Sequence, residues 1–167
     1  MYDKITKKDV ERMQEEIEHR KLVVRKEAIK DVQEARAHGD LSENFEYKVA
    51  KQFKNQNESR IRYLERMIKT AKIISEESNE DEVGLNDLVT FFLPEDNEEE
   101  TLKIVTTVRA NATKGRISID SPLGKAMLRH KVNDKVSVKV NDNYSYDVII
   151  RKIEKREDDG ADEMRKY

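Results

Sequence analysis

Three carboxylates lie close together in the N-terminal half of the chain, within the stretch Gly39 to Tyr47. Asp40, Glu43 and Glu46 are spaced three residues apart, so Asp40 and Glu43 can face one point across a turn. Two such groups suit a hard cation such as Mg²⁺ but are too few to hold it alone. They could complete a metal site on another macromolecule that already supplies most ligands. The alternative is structural, because acidic residues are common in turns and first helical turns, where they cap amide groups.

The residues around these acids predict the end of one helix and the start of another. Gly39 follows a long periodic segment and is predicted to be a helix C-cap, since glycine adopts the left-handed conformation without a Cβ penalty. Ser42 is predicted to be the N-cap of the next helix, with Glu43 in its first turn. The chain would thus turn in about three residues and present the acids at the tip of a helical arm.

Two apolar stripes predict that the arm is an antiparallel pair of helices. The first helix is predicted from Thr6 to His38 without Pro or Gly, and at about 1.5 Å per residue it would span roughly 48 Å. Its apolar face contains Val10, Met13, Ile17, Val24, Ala28, Val32 and Ala35. The return helix, which ends near Ile74, has a face of Val49, Phe53, Ile61, Leu64, Ile68 and Ala71. Facing residues should have numbers that add to about 81, with Gln56 and Arg60 on or near the seam.

The second half of the chain has the pattern of a small α+β domain. Strand-like segments, rich in β-branched residues, are predicted at 88–93, 102–108, 116–119, 136–140 and 144–150, with an acidic loop at 95–100. Ser121 followed by Pro122 predicts a short helix. We therefore predict an arm over 1–75 with an acidic tip at 39–47, a linker over 76–84, a domain over 85–154, and a frayed charged tail over 155–167.

The composition fits an arm and a small domain better than one large core. Of 167 residues, 36% are hydrophobic and 41% are charged, and there is no Cys for a disulfide framework or a thiolate metal site. No apolar run approaches a membrane span and no signal-peptide pattern is present, so we expect a cytoplasmic protein. Residues 4–74 contain 18 Lys and Arg against 13 Asp and Glu, which makes the arm mildly basic.

The basic residues of the arm are candidates for contact with a nucleic-acid backbone. The predicted patch consists of Arg20, Lys21, Arg25, Lys26, Lys30, Lys48, Lys51, Lys54 and Arg60. Tyr47, Phe45 or Phe53 could pack against a base, although Phe53 fits the seam better. The alternative is a pair of solvated helices without a ligand. We find no complete active site: the histidines (His19, His38 and His130) are scattered, and the chain has no P-loop, nucleophile elbow or zinc spacing.

Two signatures in the chain resemble those of a known family. The first is the segment Glu34 to Asn44 with Glu46 and Tyr47, which is similar to the tip signature of the bacterial GreA/GreB transcript-cleavage factors. The second is the segment Ile119 to Ala126 with Val132, Asn133 and Asp134, which resembles the C-terminal signature of the same family. The similarity extends over roughly residues 4 to 154, with both signatures in the right order.

The resemblance implies a coiled coil followed by an FKBP-like domain, and a monomer that acts on bacterial RNA polymerase. In such factors the C-terminal domain docks at the secondary channel, and the tip acids help to hold a second Mg²⁺ in the polymerase active centre. The polymerase then cleaves its own backtracked RNA near the RNA 3′ end, so the factor is not itself an enzyme and binds no cofactor alone. The resemblance implies that Asp40 and Glu43 are the tip acids, with Asn44, Glu46 and Tyr47 in support. It places docking at Ser121, Pro122, Leu123, Gly124 and Lys125.

Two other functions remain open from the sequence. Phe45 stands where the family usually has a small residue, which is compatible with a family member that occupies the channel and inhibits the polymerase without cleavage. A scaffold with a peptide-binding or prolyl-isomerase-like domain belongs to a different class, and fold alone does not carry that activity.

Overall fold

The computed structural model describes residues 2–39 and 44–166 and divides into two compact units. One is a helical unit made mainly by Lys7–Lys72, and the other is a mixed unit made by Lys4–Thr6 and Ile73–Arg165. The predicted α+β class is confirmed. Within the described ranges, every helix is too short or too polar to cross a membrane.

The helical unit is an antiparallel hairpin. Its outgoing side consists of α1 (Lys7–His19), a π-helical turn (Arg20–Val24) and α2 (Arg25–Arg36), and its return side is α3 (Phe45–Thr70). The buried residues of the seam are largely those predicted, and include Met13, Ala28, Val32, Ala35, Ile61 and Leu64. Val49 and Phe53 were wrongly assigned to the seam, because their side chains are 47% and 49% exposed. The seam therefore provides little apolar contact near the start of α3.

A polar cluster interrupts the seam beside the π-helical turn. Both Arg20 and Arg60 donate to Glu16 Oε2, at 2.7 and 2.8 Å. Asn57, which is 2% exposed, accepts from Arg20 Nη1 at 3.0 Å and donates to the Arg20 carbonyl at 3.3 Å. Burial acts to raise the pKa of Glu16, but the hydrogen bonds from Arg60 and Arg20 outweigh it and hold that pKa below its ordinary value. Because these partners fit in only one alignment, we infer that the cluster sets the register of the hairpin.

The second unit is built on a five-stranded sheet. Its strands are β3 (Leu88–Leu93), β4 (Glu98–Val105), β5 (Arg116–Ser118), β6 (Lys135–Asn141) and β7 (Tyr144–Glu154). They lie in the order β5-β4-β3-β7-β6. Neighbours are antiparallel except β4 and β5, which are parallel. A helix, α4 (Pro122–Met127), follows β5. Two short strands, β1 (Lys4–Ile5) and β2 (Lys72–Ile73), form a separate pair.

Each predicted strand segment overlaps an observed strand, but some limits differ. β4 begins at Glu98, inside the predicted acidic loop, because Glu98–Glu100 pair with β3. The residues that follow β4 form a 3₁₀ turn (Thr107–Arg109) instead of more strand. The short helix begins as predicted, with Ser121 as N-cap and Pro122 in the first turn.

The core of this unit lies against the sheet and extends into the predicted linker. It consists of Val83, Leu85, Val89, Phe91, Ile104, Ile119, Met127, Val136, Val138, Val148 and Ile150. Val83 is fully buried, and its N–H donates to the His130 carbonyl at 2.9 Å. The last residues of the predicted linker are therefore part of the folded unit.

One buried carboxylate joins three segments at the start of β3. Asp87 is 1% exposed, and its Oδ2 accepts from Gly84 N at 2.8 Å and from Lys155 Nζ at 2.6 Å. Its Oδ1 accepts from Arg156 N at 3.1 Å. The end of β7 is thereby tied to the loop before β3.

The expectation of a frayed tail is wrong for the described residues 155–166. This segment has no helix or strand, yet the side chain of Asp158 is buried and that of Asp162 is only 9% exposed. Asp162 and Glu163 form ion pairs with cations from β4, β5 and the loop between them. The tail is thus held against the sheet unit by charge.

We expect the ion pairs of the tail to persist in mild acid. A hydrogen bond from Lys114, with support from Arg116, lowers the pKa of Glu163 to about 2 from 4.5. Because the pKa is depressed in the folded state, the stabilisation is complete above about pH 4.5 and is lost as the pH falls toward 2. Titration of the side-chain carboxyl signal by NMR should give a midpoint near 2. A midpoint near 4.5 would contradict the ion pair in solution.

Candidate functional site

The described residues on either side of the predicted tip show where α2 ends and where α3 begins. α2 ends at Arg36, and the N–H groups of Ala37 and His38 still donate to carbonyls of its last turn. The C-cap of α2 is Ala37, so the prediction that Gly39 caps this helix is wrong. Gly39 follows two residues later with φ +130°, a backbone conformation that favours glycine. Residues 40–43 lie outside the described residues, so the role of Asp40 and Glu43 as tip acids stays a prediction.

Asn44 joins the two helices at the tip. Its Oδ1 accepts from Tyr47 N at 3.0 Å, which makes it the N-cap of α3. Its Nδ2 donates to the Ala35 carbonyl at 2.7 Å, near the end of α2. The prediction that Ser42 caps this helix is therefore wrong. One side chain thus satisfies an amide of one helix and a carbonyl of the other, and fixes the two ends relative to each other.

We expect Asn44→Asp to separate these two roles. Aspartate caps a helix about as well as asparagine, but it cannot donate to the Ala35 carbonyl and would place negative charge against it. Helix content measured by circular dichroism should stay within error of the wild type, while amide exchange at 35–39 and 45–47 should accelerate about tenfold.

Asn44→Ala serves as the comparison, because it loses both hydrogen bonds and should also destabilise α3 by about 1 kcal/mol. Equal exchange rates in Asn44→Asp and the wild type would show that the bond to Ala35 does not hold the tip.

The remaining described tip residues form a charged and aromatic surface. Arg36 lies over the Tyr47 ring, with its Cζ 5.5 Å from the centroid, and Lys51 Nζ lies 6.0 Å from the same centroid. A hydrogen bond from Arg36, with help from the charge of Lys51, lowers the pKa of the Tyr47 hydroxyl. Glu46 Oε2 is 3.1 Å from His38 Nδ1. Phe45 is 77% exposed at the start of α3 and is open to a partner.

Much of the predicted basic patch is paired with acids of the arm. Arg25 forms two hydrogen bonds with Glu58, and Lys21 Nζ lies 2.6 Å from Glu65 Oε1. Arg20 and Arg60 both bind Glu16, as described above. These four cations stabilise the hairpin, and their charge is largely neutralised locally. These ion pairs could have been expected from the sequence. Residues that face each other in the hairpin have numbers that add to about 81, and this rule brings Glu58 and Glu65 toward basic residues of the first helix.

The other predicted cations lie closer to the tip or on exposed surface. Lys26 is exposed on α2, and Lys30 lies 3.9 Å from Glu34. On α3, Lys48 and Lys51 are exposed and Lys54 is half-buried. A surface groove of about 560 Å³ is lined by Tyr47, Lys48, Lys51, Gln52, Asn55, Gln56 and Ser59. Cations, amides and one aromatic ring are the side chains that bind single-stranded nucleic acid through phosphate contacts and stacking.

The predicted docking residues Ser121–Lys125 build α4 and its cap. Ser121 Oγ accepts from Gly124 N at 3.1 Å and donates to the Ser118 carbonyl at 2.6 Å. Gly124 packs so closely on the Ser118 carbonyl that a Cβ would overlap it, which explains the glycine. Pro122 and Lys125 are exposed. Leu123 is half-buried and lines a cavity of about 240 Å³ with Phe91, Tyr144 and Tyr146.

Among residues 2–39 and 44–166, no three His, Cys, Asp or Glu side chains are arranged to hold a metal ion. The candidate ligands Asp40 and Glu43 fall in the gap between these ranges.

Comparison with known proteins covers both halves of the chain. The family model described as "Transcription elongation factor, N-terminal" matches residues 4–73, and the model "Transcription elongation factor, GreA/GreB, C-term" matches residues 77–155. The chain is 45% identical over 135 residues to transcription elongation factor GreA of Geobacillus kaustophilus, a match that covers 80% of this chain and 85% of the relative. It is 40% identical to GreA of Bacillus subtilis, with the same coverage. The solved structure of GreA factor homolog 1 (Gfh1) of Thermus thermophilus is 30% identical, covers 93% of this chain and 100% of its own, and has a TM-score of 0.43.

Proposed function

The chain belongs to the GreA/GreB family of transcription elongation factors, and we propose that it stimulates RNA polymerase to cleave backtracked RNA. In this proposal the helical hairpin enters the secondary channel of a bacterial polymerase, and the tip reaches the active centre. The hydrolysis is the polymerase's own reaction. The factor contributes side chains and positions them.

The observation that carries the proposal is the anchoring of the tip. Gly39 ends one side with a backbone conformation that favours glycine, and Asn44 binds both helices on the other side. The segment 40–43, which contains both acids of the family signature, is therefore followed directly by a residue that is bound to both helices. Firm attachment of the residues beside the acids favours catalysis, since a displacement of a catalytic group by about 1 Å can lower the rate about 100-fold.

The chemistry assigned to the tip follows from its donor set. Two carboxylates suit a hard divalent cation but cannot hold one without further ligands. We assign Asp40 and Glu43 to complete the coordination of a Mg²⁺ whose other ligands belong to the polymerase. When bound, that ion would orient and activate the attacking water in a two-metal hydrolysis. Asn44, Glu46 and Tyr47 would keep the acids in place.

The ion pairs within the hairpin reduce the number of cations that are available to contact RNA. Arg20, Lys21, Arg25 and Arg60 are engaged by acids of the arm. We therefore assign the RNA contact mainly to Lys48, Lys51 and Lys54 of α3. Lys26 and Lys30 of α2 would add a weaker electrostatic attraction for RNA. Tyr47 adds a ring on which a base could stack. At about 1.5 Å per residue, α3 extends roughly 39 Å and is long enough to carry this surface into a channel.

The test is RNA cleavage in a stalled, backtracked bacterial elongation complex with Mg²⁺. Short 3′-terminal fragments that appear only when this protein is added would support the proposal. Absence of fragments, combined with competition against a known cleavage factor for the same polymerase, would replace it with the inhibitory, channel-occupying role. Docking would be tested separately with Lys125→Glu, which should weaken polymerase binding and leave the hairpin intact.

A further inference from the structure

Two cations face each other at one edge of the sheet. Lys103 of β4 and Arg116 of β5 are Cα partners in the parallel ladder. Like charges placed opposite each other in a sheet repel and destabilise the pair. Arg109 and Lys114, from the connection between these strands, bring two more positive charges to the same edge. Such a cluster requires an anion in the folded protein.

The chain's own tail supplies that anion. Asp162 Oδ2 lies 2.8 Å from Lys103 Nζ and 3.2 Å from Arg109 Nη1, and its Oδ1 lies 3.6 Å from Arg116 Nη1. Glu163 Oε1 lies 2.6 Å from Lys114 Nζ and 3.3 Å from an Arg116 nitrogen. One carboxylate thus meets three cations and is 9% exposed.

The tail is bound largely through side chains. Besides Asp162 and Glu163, Asp158 Oδ2 lies 4.0 Å from Arg109 Nη1, and Lys155 Nζ donates to Asp87. Residues 155–166 contain no helix or strand, although the Arg165 N–H does donate to the Val108 carbonyl. The segment also follows the end of the family match at residue 155. A segment attached largely by charge can be displaced by a ligand of the same charge that meets the same cations. The pair of Glu163 with Lys114 is open to water and individually weak. The pairs of Asp162 are nearly buried, so a ligand must replace its negative charge when it leaves.

We propose that Lys103, Arg109, Lys114 and Arg116 form a binding site for phosphate oxyanions, which the tail occupies as a built-in competitor. Arginine forks and lysine bind phosphate and carboxylate with the same donors. A phosphate group suits the site better than one carboxylate, because it offers more oxygens and more charge to three converging cations. The source is either a free phosphate compound or a nucleic-acid backbone. This inference does not rest on the cleavage role.

The test compares full-length variants of equal net charge. Asp162→Asn with Glu163→Gln removes two of the competing charges and keeps the side-chain shapes, while Asp158 stays 4.0 Å from Arg109. Glu157→Gln with Asp159→Asn makes the same charge change at exposed positions of the same tail. We expect the first variant to bind inorganic pyrophosphate about tenfold more tightly than the wild type in calorimetry, since a tethered competitor acts at an effective concentration in the millimolar range.

Adding Lys103→Gln to the first variant should remove the gain in affinity for pyrophosphate. A fluorescent single-stranded RNA oligonucleotide distinguishes the sources: an equal gain for RNA assigns the site to a nucleic-acid backbone, and a gain for pyrophosphate alone assigns it to free phosphates. The proposal is overturned if neither probe gains affinity, or if the exposed-position variant gains as much. The proposal is also overturned if the first variant loses amide protection in β4 and β5 and gains no affinity for either probe. The tail would then only stabilise the sheet.

Discussion

Replacing Asp40 with asparagine, or Glu43 with glutamine, is expected to lower stimulated RNA cleavage by about 100-fold or more while polymerase affinity stays within about twofold. Each amide keeps the shape of the acid but loses the negative charge that a shared Mg²⁺ requires. The measurement is the rate of release of 3′ fragments from a backtracked complex at saturating factor, together with the dissociation constant for the polymerase.

Glu27→Gln provides the matched control, because it makes the same charge change at an exposed position of α2, away from the tip. It should cleave at the wild-type rate. If both tip variants also cleave normally, the proposed use of the acids is wrong even though the family assignment stands. A loss of polymerase affinity in the tip variants would instead assign these acids to docking.

The second large effect is expected from Asp87→Ala, which should lower the free energy of unfolding of the sheet unit by about 3 kcal/mol. The substitution leaves the N–H groups of Gly84 and Arg156 and the ammonium of Lys155 without their shared acceptor. Hydrogen exchange of the β3 amides reports the free energy of opening directly.

Asp87→Asn should cost about half as much, since an amide oxygen in the position of Oδ2 still accepts from Gly84 N and Lys155 Nζ, two of the three donors. Asp142→Ala is the control, because that side chain is 96% exposed and its loss should change stability by less than about 0.5 kcal/mol. Equal exchange in Asp87→Ala and Asp142→Ala would show that the carboxylate does not support the unit.

The parts of the fold that follow from local pattern could be predicted from the sequence. Periodicity predicted the two sides of the hairpin, and β-branched runs predicted the five strands of the sheet. The N-cap of α3 was mistaken because Ser42 and Asn44 are both good capping residues only two positions apart. The choice depends on the Ala35 carbonyl, which accepts from asparagine and belongs to the other helix.

Features that depend on distant residues were not accessible from local pattern. The π-helical turn at Arg20–Val24 was not predicted. The Arg20 carbonyl accepts from the Arg25 N–H and also from Asn57 Nδ2, and the second donor belongs to α3. The tail was expected to fray because its composition is charged. Its partners are 40 or more residues away in the sequence, and charge alone does not indicate which opposite charge it will meet.

The candidate site was predicted in part. Asn44 and Tyr47 are tip residues as expected, but the structure gives Asn44 a role in joining the helices that the sequence did not indicate. The basic patch was overestimated, because Arg25 and Lys21 are bound to Glu58 and Glu65 of the facing helix. Counting cations on one helix is a poor guide to free charge when the partner helix supplies acids.

The strand order of the sheet also determines when the two units can fold during synthesis. The hairpin pairs two consecutive segments of the N-terminal half and can form as soon as α3 has left the ribosome. β3 is a central strand whose neighbour β7 pairs Leu88 with Glu154, so the sheet cannot close until nearly the whole chain has emerged. Contacts of such long sequence separation form slowly. We therefore expect a nascent chain with a folded arm and an open sheet, in which the apolar face of β3 is the segment that most needs protection from aggregation.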